Sequence, residues 1–168
     1  MMLETLGGLP THPLVVHMPV VAIPLALIGV LVMVIFPSWQ QKIGVPVAVV
    51  SGLGFLGALL AVGSGEELEE SLRRAGETIS GTLEDHVEMG ESVQFFAGLF
   101  FLLVLAWVVF AWWRRRSGEE QATKVLRKPK VINIVLAILV VGSGIAASWS
   151  VYATGHSGAK SVWEQSAP

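Results

Sequence analysis

The chain has 168 residues, 53% of them hydrophobic and only 14% charged, with a formal net charge of -2. A soluble domain carries about 25% charged residues, so the composition excludes a disordered chain, a coiled coil and an ordinary soluble enzyme and points to a membrane protein. The absence of cysteine excludes disulfides, thiolate metal sites, iron–sulfur clusters, a cysteine nucleophile and covalently attached c-type haem.

All 24 charged residues fall outside four apolar segments, roughly 14–36, 43–63, 93–113 and 131–153, each of 21 to 23 residues. About 20 apolar residues cross a bilayer as a helix. Lipid cannot satisfy open backbone groups, so only helices and closed barrels span it, and the period-two alternation of a barrel is missing. The expected architecture is an all-α membrane protein: a four-transmembrane-helix bundle forming a single membrane domain over 1–168.

The first segment opens with THPLVVHMP. Pro13 suits a first helical turn with Thr11 or His12 as the cap. Pro19 lies near the start, where it costs little, whereas Pro24 is expected to kink the span. Glu4 stands where a signal peptide would carry basic residues, and the apolar run is too long for an h-region, so the segment reads as retained. Segment 37–42 contributes Lys42 and leads into the second span.

Segment 64–92 has nine Asp/Glu and two Arg. It is expected to be partly helical, with Glu69–Arg73 and Glu70–Arg74 as i,i+4 pairs and Gly76 as a stop. Thr82, with Asp85 at the capping-box offset, would open a helix that runs into the third span and carries His86 about 10 Å beyond Val93. Segment 114–130 has seven Lys/Arg and two acids. Basic loops stay cytoplasmic, which puts 37–42 and 114–130 inside and both termini and 64–92 on the outer, periplasmic side. Trp39, Trp107, Trp112, Trp113, Trp149 and Tyr152 read as an interfacial belt. No internal repeat is evident.

The four histidines, His12, His17, His86 and His156, all fall on the outer side under this topology, on three different helices. Imidazole is the commonest metal ligand, so an outward-facing histidine cluster is expected to hold haem iron or a metal. His86, Gly90 and Ala97 share a helix face with room for something flat. Gly142, Gly144 and Ala146 thin the fourth span, or serve small-residue helix packing. Gly155 and Gly158 flank His156, so a sharp turn and close ligand approach are expected there; a helix C-cap is the rival reading. A five-residue spacing keeps His12 and His17 off one helical face unless the chain leaves helix between them. Met18 and Met89, and Glu84, Asp85, Glu88 and Glu91 around His86, are further candidate donors, the carboxylates more simply a solvated face.

At these residues the chain resembles a bacterial membrane family, domain of unknown function 2231 (DUF2231), in its LPTHPLVVHMPVVAIPLAL opening, the central LEDHVEMG and the TGHSGAKSVW ending. The resemblance covers nearly the whole chain and implies a small four-helix protein of the cytoplasmic (inner) membrane. Its histidine positions correspond to His12, His17, His86 and His156. Such domains are sometimes joined to cytochrome-like domains, which favours redox work.

The expected function is therefore haem b binding for electron transfer, with a redox partner protein on the outer side. The alternatives are a non-haem copper, zinc or iron site, or a structural or assembly subunit, possible as an oligomer in the bilayer. No catalytic residues are assigned. No span contains Asp, Glu, Lys or Arg, which argues against a transporter. The basic loop is explained by topology and anionic lipid, so no nucleic acid is expected. No P-loop, G-x-S-x-G or H-E-x-x-H motif occurs.

Overall fold

A computed structural model describes residues 5–6, 9–76, 81–118, 121, 124–126 and 128–165, with side chains over 11–76, 81, 83–118, 121, 124–126 and 128–160. Glu4 and the side chain of Thr82, the expected cap, lie outside these. A two-rung antiparallel pairing, β1 (Thr5–Leu6) with β2 (Leu9–Pro10), precedes the helices. The rest of the described structure is helical: α1 (Thr11–Val15), α2 (His17–Ile35), a 3-10 turn at Pro37–Trp39, α3 (Gln40–Arg74), α4 (Gly81–Ser117) and α5 (Pro129–Gln165). Four helical stretches are long and apolar enough to cross a membrane: Thr11–Ile35, Pro37–Arg74, Leu83–Ser117 and Pro129–Lys160.

The chain punctuates these helices by local chemistry. α3 carries Arg73 and Arg74 in its last turn, beside the negative end of the helix dipole. It is followed by Gly76 at φ +80, the left-handed residue that closes a helix C-terminus. α4 ends the same way, with Arg114, Arg115 and Arg116 and then Gly118 at φ +76. Pro129 opens α5, where its missing N–H costs nothing. The expected ion pairs form on α3, Arg73–Glu69 at 2.6 Å and Arg74–Glu70 at 3.6 Å.

In the first span the helix continues through Pro24, and an interruption falls at Val16, between α1 and α2. Pro19 explains it: proline has no N–H for the carbonyl four residues back, at Val15, and its ring crowds that carbonyl. α1 packs on α3, and Pro19 itself is buried.

α2 packs on α3, α3 on α4, α4 on α5 and α5 on α2, closing a ring. Glycines allow the close approaches. A Cβ at Gly54 would lie 2.8 Å from Ile23 Cγ1, and one at Gly57 2.8 Å from Pro19 Cδ. Phe55 sits over Gly98 and Phe101 over Gly52, with the two rings stacked at 6.1 Å. Gly144 takes Phe100 and Leu27, so it serves helix packing. Gly142 has nothing within 4 Å. Trp107, expected in the interfacial belt, is 2% exposed and donates its indole N–H to Asn133 Oδ1 at 3.1 Å, tying α4 to α5.

The buried positions disclose a repeat that residue identities hide. Pro19, Ile23, Ala26, Val30 and Met33 of α2 lie 74 positions before Val93, Ala97, Phe100, Val104 and Trp107 of α4, and all ten are buried. Val47, Ser51, Gly54, Gly57 and Ala58 of α3 lie 93 positions before Val140, Gly144, Ala147, Ser150 and Val151 of α5, again all buried. In α2 and α4 the alternating steps of four and three are those of a coiled-coil seam. The molecule is thus two equivalent helical hairpins, α2–α3 and α4–α5, and the ring order relates them by an approximate two-fold rotation about the bundle axis.

Candidate cofactor site

Each hairpin has a histidine beside the start of its first span, His12 on α1 and His86 on α4, 74 positions apart like the buried stripe. Each histidine reaches a backbone carbonyl in the C-terminal half of the second helix of its own hairpin. His12 Nδ1 lies 2.9 Å from Ala61 O and 3.3 Å from Ser64 Oγ. His86 Nδ1 lies 3.0 Å from Thr154 O. Ala61 and Thr154 are 93 positions apart, so the two hydrogen bonds are equivalents of each other. A carbonyl only accepts, so Nδ1 donates in both rings, and in the neutral imidazole the lone pair then sits on Nε2. This is the tautomer and anchoring of metal-bound histidine, with its second nitrogen on a carbonyl.

The two ring planes stand perpendicular, with centroids 6.1 Å apart. Both are half-buried and line a cavity of about 400 Å³ among all four spans at the acidic end of the bundle. That volume lies in the usual range of about 300–1,000 Å³ for small-molecule sites. The walls are largely apolar or small, among them Pro19, Ala58, Val62, Gly90, Val93 and Val151. Glu66 and Glu69 also reach the lining. Gly90 is the wall residue that the His86/Gly90 face placed there.

His17 and His156 are outside this arrangement. Both are exposed and neither lines the cavity. His156 stacks on Tyr152, with ring centroids 6.2 Å apart. No turn forms around it, because α5 runs straight on to Gln165. Met18 packs on Gly57, and Met89 offers its backbone carbonyl to Thr154 Oγ1 at 3.3 Å. Glu84, Asp85, Glu88 and Glu91 are exposed, as a solvated face requires. Among the described residues no group of three His, Asp or Glu side chains converges as a metal site. Gly158, expected to serve His156, packs on His86 instead, and Ala61, Gly65 and Thr154 escaped the sequence reading. Their contribution is a carbonyl or a missing side chain, which residue chemistry does not advertise.

No curated protein and no solved structure matches this chain. The DUF2231 family, described as a predicted membrane protein, matches residues 8–167, a stretch that holds all four spans and both cavity histidines. The chain belongs to that family.

Proposed function

We propose that the protein holds one haem b between His12 and His86 and transfers electrons at the outer face of a bacterial cytoplasmic membrane. The observation that carries this reading is the pairing of two imidazoles from separate hairpins, 6.1 Å between ring centres, each with Nδ1 tied to a carbonyl. Two imidazoles sharing one metal at about 2.0–2.1 Å per nitrogen have ring centres about 6 Å apart.

The donor count favours haem over bare copper, zinc or iron. A bare ion takes three or four protein ligands, and among the described residues no such group of three is present. Haem iron brings four ring nitrogens and needs two axial ligands. Haem supplies one-electron redox chemistry when bound. The chain's own part is to orient the rings through Ala61 O and Thr154 O, to raise their basicity by those bonds, and to exclude water with apolar walls. The positive-inside distribution turns the acidic end outward, toward a redox partner protein on that side.

Reduced-minus-oxidised spectra of the detergent-purified protein test this, together with metal analysis. A Soret and a sharp alpha band are expected, lost in His12→Ala and His86→Ala and kept in His17→Ala and His156→Ala. A colourless protein with stoichiometric copper, zinc or iron would move the function to non-haem metal. A colourless, metal-free protein indifferent to all four substitutions would make it a structural or assembly subunit.

A further inference from the structure

We propose that Gly65 and Gly158 are a matched pair of positioning residues, each opening a window onto the helix carbonyl that accepts a histidine Nδ1 proton. This rests on His12 and His86 as the ligand pair and extends the site to two residues that hold the ligands.

In an α-helix the carbonyl of residue i already accepts the N–H of residue i+4, and the side chains of i and i+4 share a face. An outside donor reaches that carbonyl most freely where i+4 is glycine. Ala61 and Gly65 have this spacing, and so do Thr154 and Gly158. A Cβ at position 65 would lie 3.2 Å from both Cε1 and Nδ1 of His12. One at position 158 would lie 2.7 Å from Cε1, 3.1 Å from Nδ1 and 3.3 Å from Nε2 of His86. In both rings the crowded atoms include Nδ1, which makes the carbonyl bond. A Cβ at Gly63 or Gly155, in the same helices, would meet nothing within 4 Å.

The windows also look alike in sequence, AVGSG at 61–65 and TGHSG at 154–158. Each has a hydroxyl support: Ser64 Oγ donates to Ala61 O at 3.1 Å, and Thr154 Oγ1 donates to Met89 O, tying α5 to the turn of α4 beyond His86. The work of the G-H-S-G ending is thereby done by Gly158 on a histidine 72 positions earlier.

The test uses the full chain in detergent with 15N-labelled histidine, carrying Gly65→Ala or Gly158→Ala, and Gly63→Ala and Gly142→Ala as controls. Without cofactor, Gly158→Ala is expected to abolish the Nδ1–H signal of His86 and spare that of His12, and Gly65→Ala the reverse. In haem titrations each should weaken binding by about 10–100-fold, the usual effect of losing a ligand's outer partner. Wild-type signals and affinity in both alanine variants, or equal losses in the controls, would overturn the proposal. The nitrogen signals need no cofactor, so a wild type that takes up no haem would sink the proposed function and leave this assignment standing on its own result. Should the alanine variants fail to fold by circular dichroism, Thr154→Val removes the tie to Met89 and keeps Gly158. A partial shift of the His86 signal alone is then expected, and an unchanged signal would count against the proposal.

Discussion

Trp107 shows what a single polar contact does inside an apolar bundle. Its indole N–H is buried and meets Asn133 Oδ1 at 3.1 Å. Interhelical hydrogen bonds in membrane proteins average about 0.6 kcal/mol and reach about 1.7, while an orphaned buried donor costs about 1–3 kcal/mol. Asn133→Leu should therefore destabilise the bundle by about 1–2 kcal/mol. Adding Trp107→Phe should cost less than the two single substitutions summed, because no unpaired donor remains. Thermal or denaturant unfolding in detergent reads all three variants, and simply additive losses would refute the pairing. The same residue-scale logic separates the histidines. His12 and His86 each have a carbonyl at hydrogen-bond distance, whereas His156 stacks on an exposed tyrosine.

At the scale of elements, the helices overreach the bilayer. α3, α4 and α5 have 35, 37 and 37 residues, about 50–55 Å at 1.5 Å per residue, against about 30 Å of hydrocarbon. α2 has 19 residues, about 28 Å, and α1 continues the span beyond the interruption at Val16. The cavity lies at the acidic end, where the long helices project and α1 folds in. Pro19→Ala restores a donor for the Val15 carbonyl and lets α1 and α2 join as one helix, which should carry His12 off Ala61. Haem binding should weaken while thermal stability stays the same or rises. Pro24→Ala, inside a helix that is continuous on both sides of it, should leave the spectrum alone. Equal spectra for the two variants would show that the break at Val16 does not matter.

The whole molecule is two hairpins around one axis, with a charge asymmetry along it. Eight of the eleven basic residues fall in segments 37–42 and 114–130, and nine of the thirteen acids in 64–92. A chain without cysteine suits single-cysteine mapping. Glu70→Cys should react with a membrane-impermeant thiol reagent on spheroplasts, and Lys128→Cys only after permeabilisation; the reverse pattern would invert the orientation.

Hydropathy and charge alone dictated four spans, the helical class and the acidic and basic ends, because the cost of burying a charge or an open backbone group in lipid is large and local. They also put imidazoles on helices that share one end. Which two meet was decided by the tertiary structure. In a membrane bundle the lipid-facing and core-facing sides of a helix are equally apolar, so the stripe at Val93, Ala97, Phe100, Val104 and Trp107 does not stand out from Leu99, Leu102 and Leu105 beside it. The partners of His12 and His86 are backbone carbonyls uncovered by glycine, and a carbonyl is present at every residue. Only the packing of α1 on α3 and of α4 on α5 selects Ala61 and Thr154 from among them.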